Sequence, residues 1–239
     1  MKPLIVIGSS TDPYHNLAIE ETLLYSCQGR RILYLWQNDR TVVIGRHQDA
    51  SFECDLEKME EDGIRLSRRL SGGGAVYHDM GNMNFTFIAP RSELSVDEDF
   101  EMIADAVKTF GIETCRTGNN DLGIAQTGAK FSGSAFFRSG PDNDSPCYHH
   151  GTILCSSDIE KMGRYLTPSS GKLSKHGVKS VSARVANIGI EVEKVRDSVI
   201  GSFVNRYGEA EFARDDICGA TAVAEAERRL SSHEWLFSI

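Results

Sequence analysis

The sequence predicts an α/β protein of the α+β type, with mixed, largely antiparallel β-sheets covered by helices. Three observations point there. Short apolar runs of strand character come in clusters, and segments with helical spacing separate the clusters. Strands and helices also fail to alternate in the regular order that a doubly wound parallel sheet requires. No internal repeat, low-complexity tract or Pro/Ser-rich linker divides the chain, so residues 1–239 read as one domain.

Taken in order, PLIVIG (3–8) reads as a first strand. Asp12-Pro13 then supplies an N-cap and a first helical position for a helix to about Ser26. ILYLWQ (32–37) and TVVIGR (41–46) predict a hairpin across Asn38-Asp39-Arg40. DLEKMEEDG predicts a short charged helix that stops at Gly63. Ser95-Val96-Asp97-Glu98 matches a capping box, and Phe100, Ile103, Val107 and Phe110 continue it at helical spacing until Gly111. Strands are expected around Asp121–Ala125, Ala129–Phe137 and Tyr148–Cys155, and a helix from Asp158. Val192, Val195, Val199 and Phe203 mark another helix, and Thr221–Ser231 a last one.

Composition narrows the function classes. The chain has 26 basic and 34 acidic residues, a net charge of −8, which argues against a general nucleic-acid binder. The apolar run in MKPLIVIGSS is too short for a signal sequence, and no later run approaches the ~20 residues of a membrane span. Six cysteines are scattered without a CxxC pair, which suits reduced thiols in the cytoplasm.

The segment with most chemical content is RRLSGGGAVYHDMGNMNF, Arg68 to Phe85. Consecutive glycines at 72–74 allow positive φ and close approach to a ligand, turning N–H groups inward as an anion nest. Arg68 and Arg69 stand beside it as charge-assisted donors. In the extended run that follows, Val76 and His78 should share one face, with Ala75, Tyr77 and Asp79 on the other. A glycine hairpin with solvated arginines is the alternative. Neither a Walker A loop nor a G-x-G-x-x-G follows any strand, so a phosphate would have to be held in another way.

Three further groups stand out. Asn119-Asn120-Asp121 could offer a carboxylate to Mg²⁺, or form an Asx turn. Lys130, in GAKFSGSAFF, sits among small residues and aromatics, where a buried ammonium would need an anionic partner; a plain edge-strand lysine is the alternative. His149 and His150 lie in a strand-like run, so their rings should point to opposite faces and cannot share one metal.

Together these segments resemble the bacterial lipoate–protein ligase A family. The likeness rests on Arg68–Phe85, Asn120-Asp121, KFSGSA (130–135), HHGT (149–152) and HGVKSVSARVAN (176–187), in that order. DPYHNLAIEE, LWQNDRTVVIGRHQ and MEEDGIRLSRR extend it almost to the N-terminus. The resemblance implies a biotin/lipoate protein ligase-like catalytic domain. It implies that lipoate and ATP give bound lipoyl-AMP, and that the lipoyl group then passes to a lysine of an acceptor. The acceptors are lipoyl domains of 2-oxoacid dehydrogenase E2 proteins or the glycine-cleavage H protein. Carried over, the nucleotide-binding residues are Arg69, Ser71, Gly72, Gly73, Gly74, Ala75, Val76, Tyr77, Asn82, Asn120, Asp121 and Lys130. Lys130 is the catalytic residue, and Asp121 the candidate Mg²⁺ ligand. The lipoyl group is expected to meet Arg69, His78, Lys130, Ser132, Gly133, His149 and Gly151, with Leu17 and Val43 in an apolar slot.

Many members of the family continue into a smaller C-terminal accessory domain, which would begin about where SSHEWLFSI ends this sequence. Three expectations stay open. A separate accessory-domain protein completes the enzyme, the activity is limited to transfer from preformed lipoyl-AMP, or the chain is a piece of a longer one. The rival within the same fold is an ATP-independent octanoyl or lipoyl transferase that uses a cysteine thioester, with Cys115 or Cys147 as nucleophile.

Overall fold

The structure, a computed structural model, describes residues 1–167 and 185–237. Most of HGVKSVSARVAN therefore lies outside the described residues; its last three, Val185, Ala186 and Asn187, lie within them. The larger of two sheets has eight strands: β1 (Leu4–Ile7), β2 (Ile32–Trp36), β6 (Asn82–Pro90), β7 (Thr114–Arg116), β8 (Asp121–Ile124), β9 (Lys130–Arg138), β10 (Pro146–Leu154) and β11 (Glu211–Arg214). Their order is β11-β1-β2-β6-β10-β9-β8-β7. β1 runs parallel to both of its neighbours, and every other pair in this sheet is antiparallel. The smaller sheet has β3 (Thr41–Ile44) between β4 (Arg65–Arg68), parallel to it, and β5 (Val76–His78), antiparallel. The mixed, largely antiparallel architecture is the one the sequence predicts.

Strand alternation divides the core. Ile5, Leu33, Leu35, Phe85, Phe87 and Ile153 point to one face of the large sheet, under α4 (Val96–Lys108) and α6 (Val192–Tyr207). Leu4, Val6, Ile32, Tyr34, Ile88 and Tyr148 point to the other, under α1 (Pro13–Ser26) and α7 (Ala220–Leu230). The small sheet packs with α2 (Ala50–Glu53), α3 (Leu56–Glu61) and α5 (Ile159–Tyr165) through Ala50, Met59, Tyr77, Met162 and Tyr165. A last short helix is α8 (His233–Phe237). The caps form as expected: Asp12 accepts from the Tyr14 and His15 amides at 2.9 and 3.2 Å, and Gly63 and Gly111 take φ of 63° and 78°.

The expected hairpin of 32–37 with 41–46 does not form. β2 lies between β1 and β6, and β3 between β4 and β5, so neither strand has an edge left for the other. Every residue of both strands is buried, as interior strands require. The chain steps from one sheet to the other through Asn38–Arg40, with Arg40 at φ 41°.

Candidate active site

A cavity of about 310 Å³ opens between the two sheets. One wall is the glycine loop, with Gly73, Gly74, Ala75, Val76 and His78. Facing it are Asn119, Asn120, Asp121, Lys130 and Gly133 from β8, β9 and the loop before them. Arg69, Asn84, His150 and Gly151 join the two, and Leu17, Trp36 and Val43 supply apolar surface.

The loop owes its shape to Arg69, which is 6% exposed. Its Nη2 donates to the Gly72 and Gly74 carbonyls, both at 2.7 Å, and its Nη1 to the Val43 carbonyl at 3.1 Å. Nε donates to Ser71 Oγ at 3.1 Å, and Ser71 Oγ lies 2.7 Å from His150 Nε2. Burial lowers the Arg69 pKa to about 10, so it stays charged at neutral pH. With these carbonyls turned toward the guanidinium, the loop has no use for a free-standing arginine. Gly73 has φ 91°, and a Cβ there would lie 2.9 Å from Arg69 Nη2. A Cβ on Gly45 would fall 2.3 Å from the Gly73 carbonyl oxygen, so the two backbones meet only because residue 45 is glycine.

Arg68 corrects the sequence reading. It is fully buried and turned away from the loop, donating through Nε and Nη2 to the Leu236 carbonyl in α8. Its Nη1 donates to the carbonyls of Gly45, Arg46 and Gln48. Strand alternation puts adjacent arginines on opposite sides, and only Arg69 serves the cavity.

His78 is 3% exposed, and its pKa is lowered to about 3, chiefly by burial. Asn38 Nδ2 lies 3.2 Å from His78 Nδ1, and Asn38 is itself oriented by Asn16 Nδ2 on its Oδ1. Nδ1 is thus an acceptor and the proton of this neutral ring sits on Nε2, which has no partner among the described residues. On the facing wall, Lys130 Nζ pairs with Asp121 Oδ1 at 2.8 Å, each side chain about a third exposed. A Cβ on Gly133 would lie 2.6 Å from that ammonium, so the glycine makes its room. Val185, at the end of the HGVKSVSARVAN segment, bridges to Lys130.

Several expected residues support the cavity without lining it. Ser71 acts through Arg69 and His150, and Gly72 faces a second groove on the far side of the loop. Tyr77 packs on Tyr165 with ring centroids 5.4 Å apart. Asn82 Nδ2 donates to Asn84 Oδ1 at 3.0 Å, leaving the Asn84 amide N–H groups for the cavity. Ser132 is buried away from the cavity, between the Leu122 and Ile153 positions of its neighbouring strands. His149 is the clear misassignment: its Nδ1 meets Asp99 Oδ2 at 3.0 Å, between Phe85 and Phe100 in the core under α4. Of this pair, His150 lines the cavity. The β6–β10 register pairs His150 with Thr86 and His149 with Phe87, so the polar side of β6 marks the right ring. That register, the missing signal, was absent from the linear sequence.

No cysteine lines the cavity among the described residues. The Cys147 thiol is buried and pushed up to about 11, which disfavours a thiolate.

Residues 12–206 match the family model described as the lipoyl protein ligase A/B catalytic domain. The chain is 40% identical to the lipoate-protein ligase A of Bdellovibrio bacteriovorus, over 98% of this chain and 71% of that protein. Among solved structures it is similar to P. falciparum LipL1 in complex with lipoate, with 28% identity and a TM-score of 0.84, over 99% of this chain and 74% of that one. It is also similar to a bi-partite lipoate protein ligase from Thermoplasma acidophilum, with 25% identity and a TM-score of 0.82, over 99% and 96% of the two chains. On this match, which covers most of the chain, the protein belongs to the lipoyl protein ligase A/B catalytic domain family.

Proposed function

We propose that this chain activates lipoate with ATP to lipoyl-AMP and transfers the lipoyl group to a lysine of lipoyl-domain proteins. The observation that carries the reading is one cavity holding a glycine loop, the Lys130–Asp121 pair and an apolar wall of Leu17, Trp36 and Val43. The lipoate-bound relative supports the substrate.

In the first step the lipoate carboxylate oxygen attacks the α-phosphorus of ATP, and the bond to pyrophosphate breaks. Two anions must meet, and negative charge gathers on the phosphoryl oxygens. Lys130 is the group able to follow it: its partner Asp121 keeps the ammonium at the wall, and rotation would bring it onto the acyl carbonyl and α-phosphate. Loop N–H groups, opposed to the carbonyls that Arg69 holds, offer further donors. In the second step the acceptor amine attacks the acyl carbonyl and AMP leaves. Neutral His78, with its proton on Nε2, offers a donor but no buried charge to compete with Lys130.

Among the described residues, Asp121 is the only carboxylate on the cavity wall, and no group of three His, Cys, Asp or Glu could hold a metal. Asp121 would be the residue to hold a Mg²⁺ here. When bound, Mg²⁺ would neutralise phosphate charge. We read residues 1–239 as the catalytic domain and expect a separate accessory-domain protein as a partner, a reading that the similar bi-partite ligase supports. No described helix is long and apolar enough to cross a membrane, and we place the enzyme in the cytoplasm.

The test is mass spectrometry of a purified lipoyl domain incubated with the protein, Mg²⁺ and either lipoate with ATP or lipoyl-AMP. The expected product carries one lipoyl group on one lysine. Modification from lipoyl-AMP alone would restrict the chain to transfer, and no modification in either arm, with an accessory-domain protein supplied, would overturn the reading.

A further inference from the structure

Behind the glycine loop lies a buried chain of polar groups that ends on α1, far from the loop in sequence. Glu20 is 1% exposed, and its Oε1 accepts from Thr86 Oγ1 at 2.6 Å. The same oxygen lies 2.8 Å from His150 Nδ1, and His150 Nε2 lies 2.7 Å from Ser71 Oγ. Ser71 Oγ in turn receives Arg69 Nε–H. We propose that Glu20 is a positioning residue for the glycine loop, acting through the His150 ring and the Ser71 hydroxyl on the Arg69 guanidinium.

The direction of each bond follows from the donors available. A carboxylate only accepts, so His150 must carry its proton on Nδ1. In the neutral ring Nε2 is then a lone pair, and the Ser71 hydroxyl proton goes to it. That leaves the Ser71 oxygen lone pairs to accept Arg69 Nε–H, and the planar fork turns its Nη2 onto the Gly72 and Gly74 carbonyls. Reversing the His150 tautomer would set Nδ1 lone pair against Glu20 and an N–H against the Ser71 proton. The chain also separates two opposite charges, Glu20 and Arg69, that are both buried and would each be costly alone.

Ser71, His150 and Glu20 have the order of a nucleophilic triad, yet they cannot serve as one. Ser71 is 1% exposed and lies outside the cavity lining, and its oxygen is already covered by the Arg69 N–H. The geometry suits a scaffold that transmits orientation.

The test reads the His150 ring and the loop directly in the ligand-free protein. Nitrogen-15 NMR should show the Nδ1–H tautomer of His150 in the native protein. Glu20→Leu should shift the ring toward Nε2–H and speed amide exchange of Gly72–Gly74 about ten-fold, the loss of one charge-assisted hydrogen bond. Glu20→Gln keeps an acceptor oxygen and should restore most of both signals. Ser71→Ala cuts the chain downstream: loop exchange should rise while the His150 tautomer stays, and this variant decides the matter if Glu20→Leu does not fold. Loop exchange unchanged in Ser71→Ala, or an Nε2–H ring in the native protein, overturns the proposal. The consequence for ligation rests on the reading above: the KM for ATP should rise in Glu20→Leu and recover in Glu20→Gln. If ring and exchange behave as expected and even the native protein lipoylates nothing, the functional reading fails and the positioning role stands.

Discussion

On the glycine-loop side of the cavity, Arg69 is 6% exposed and directs its N–H groups to Val43, Ser71, Gly72 and Gly74. On the β8–β9 side, Lys130 and Asp121 are each about a third exposed and meet in a single ion pair of 2.8 Å. The first wall is held by many buried bonds and is built before any ligand arrives. The second is a charge on a flexible stem beside solvent, free to change partner. A site that must both shape a substrate and respond to developing charge gains from dividing the two tasks between its walls.

Breaking the fixed wall should have the largest effect. Arg69→Ala leaves the buried Val43, Gly72 and Gly74 carbonyls without their donor and should cost about 3–5 kcal/mol of stability, read as a lower urea midpoint. The responsive wall should behave oppositely. Lys130→Ala is expected to lose about 3–4 kcal/mol of transition-state stabilisation, roughly 10²–10³ in lipoylation rate, with the Tm nearly unchanged. A large fall in Tm for Lys130→Ala would erase the division. Acid sharpens it further. His78 is neutral in the folded state, with its pKa near 3, whereas the unfolded chain takes up a proton below about 6.5. Stability contributed by this neutral ring is therefore full above pH 6.5 and falls toward pH 3, by at most about 1.4 kcal/mol per pH unit. His78→Gln should flatten that part of a stability–pH curve. The smallest change belongs to Asp121→Asn, where loss of a solvent-screened pair should move stability by less than about 1 kcal/mol.

What the linear sequence made legible was local. The caps at Asp12 and Ser95 and the stops at Gly63 and Gly111 depend on neighbours a few residues away. The errors concern partners at long range. A hairpin between 32–37 and 41–46 is the cheapest closure of the chain, but burial on both faces drew each strand into the middle of a different sheet. The short strands β4, β7 and β11, of sequence RLSR, TCR and EFAR, carry too little alternation to mark themselves. Arg68 and His149 are chemically indistinguishable from their neighbours, and only register assigns them to the α8 anchor and the Asp99 core. Glu20 lies within DPYHNLAIEE, yet nothing near it in the sequence marks it as the partner of His150.

The chain has two tryptophans, and the loop stands between them. Trp36 lines the cavity and donates Nε1–H to Thr86, while Trp235 lines the second groove and donates Nε1–H to the Arg68 carbonyl. The Arg46 guanidinium lies over the Trp235 ring at 4.3 Å, a contact whose loss would alter its emission. Two single-tryptophan proteins, Trp235→Phe and Trp36→Phe, would therefore give separate optical channels. The first reports what enters the cavity, the second whether α8 stays seated behind it.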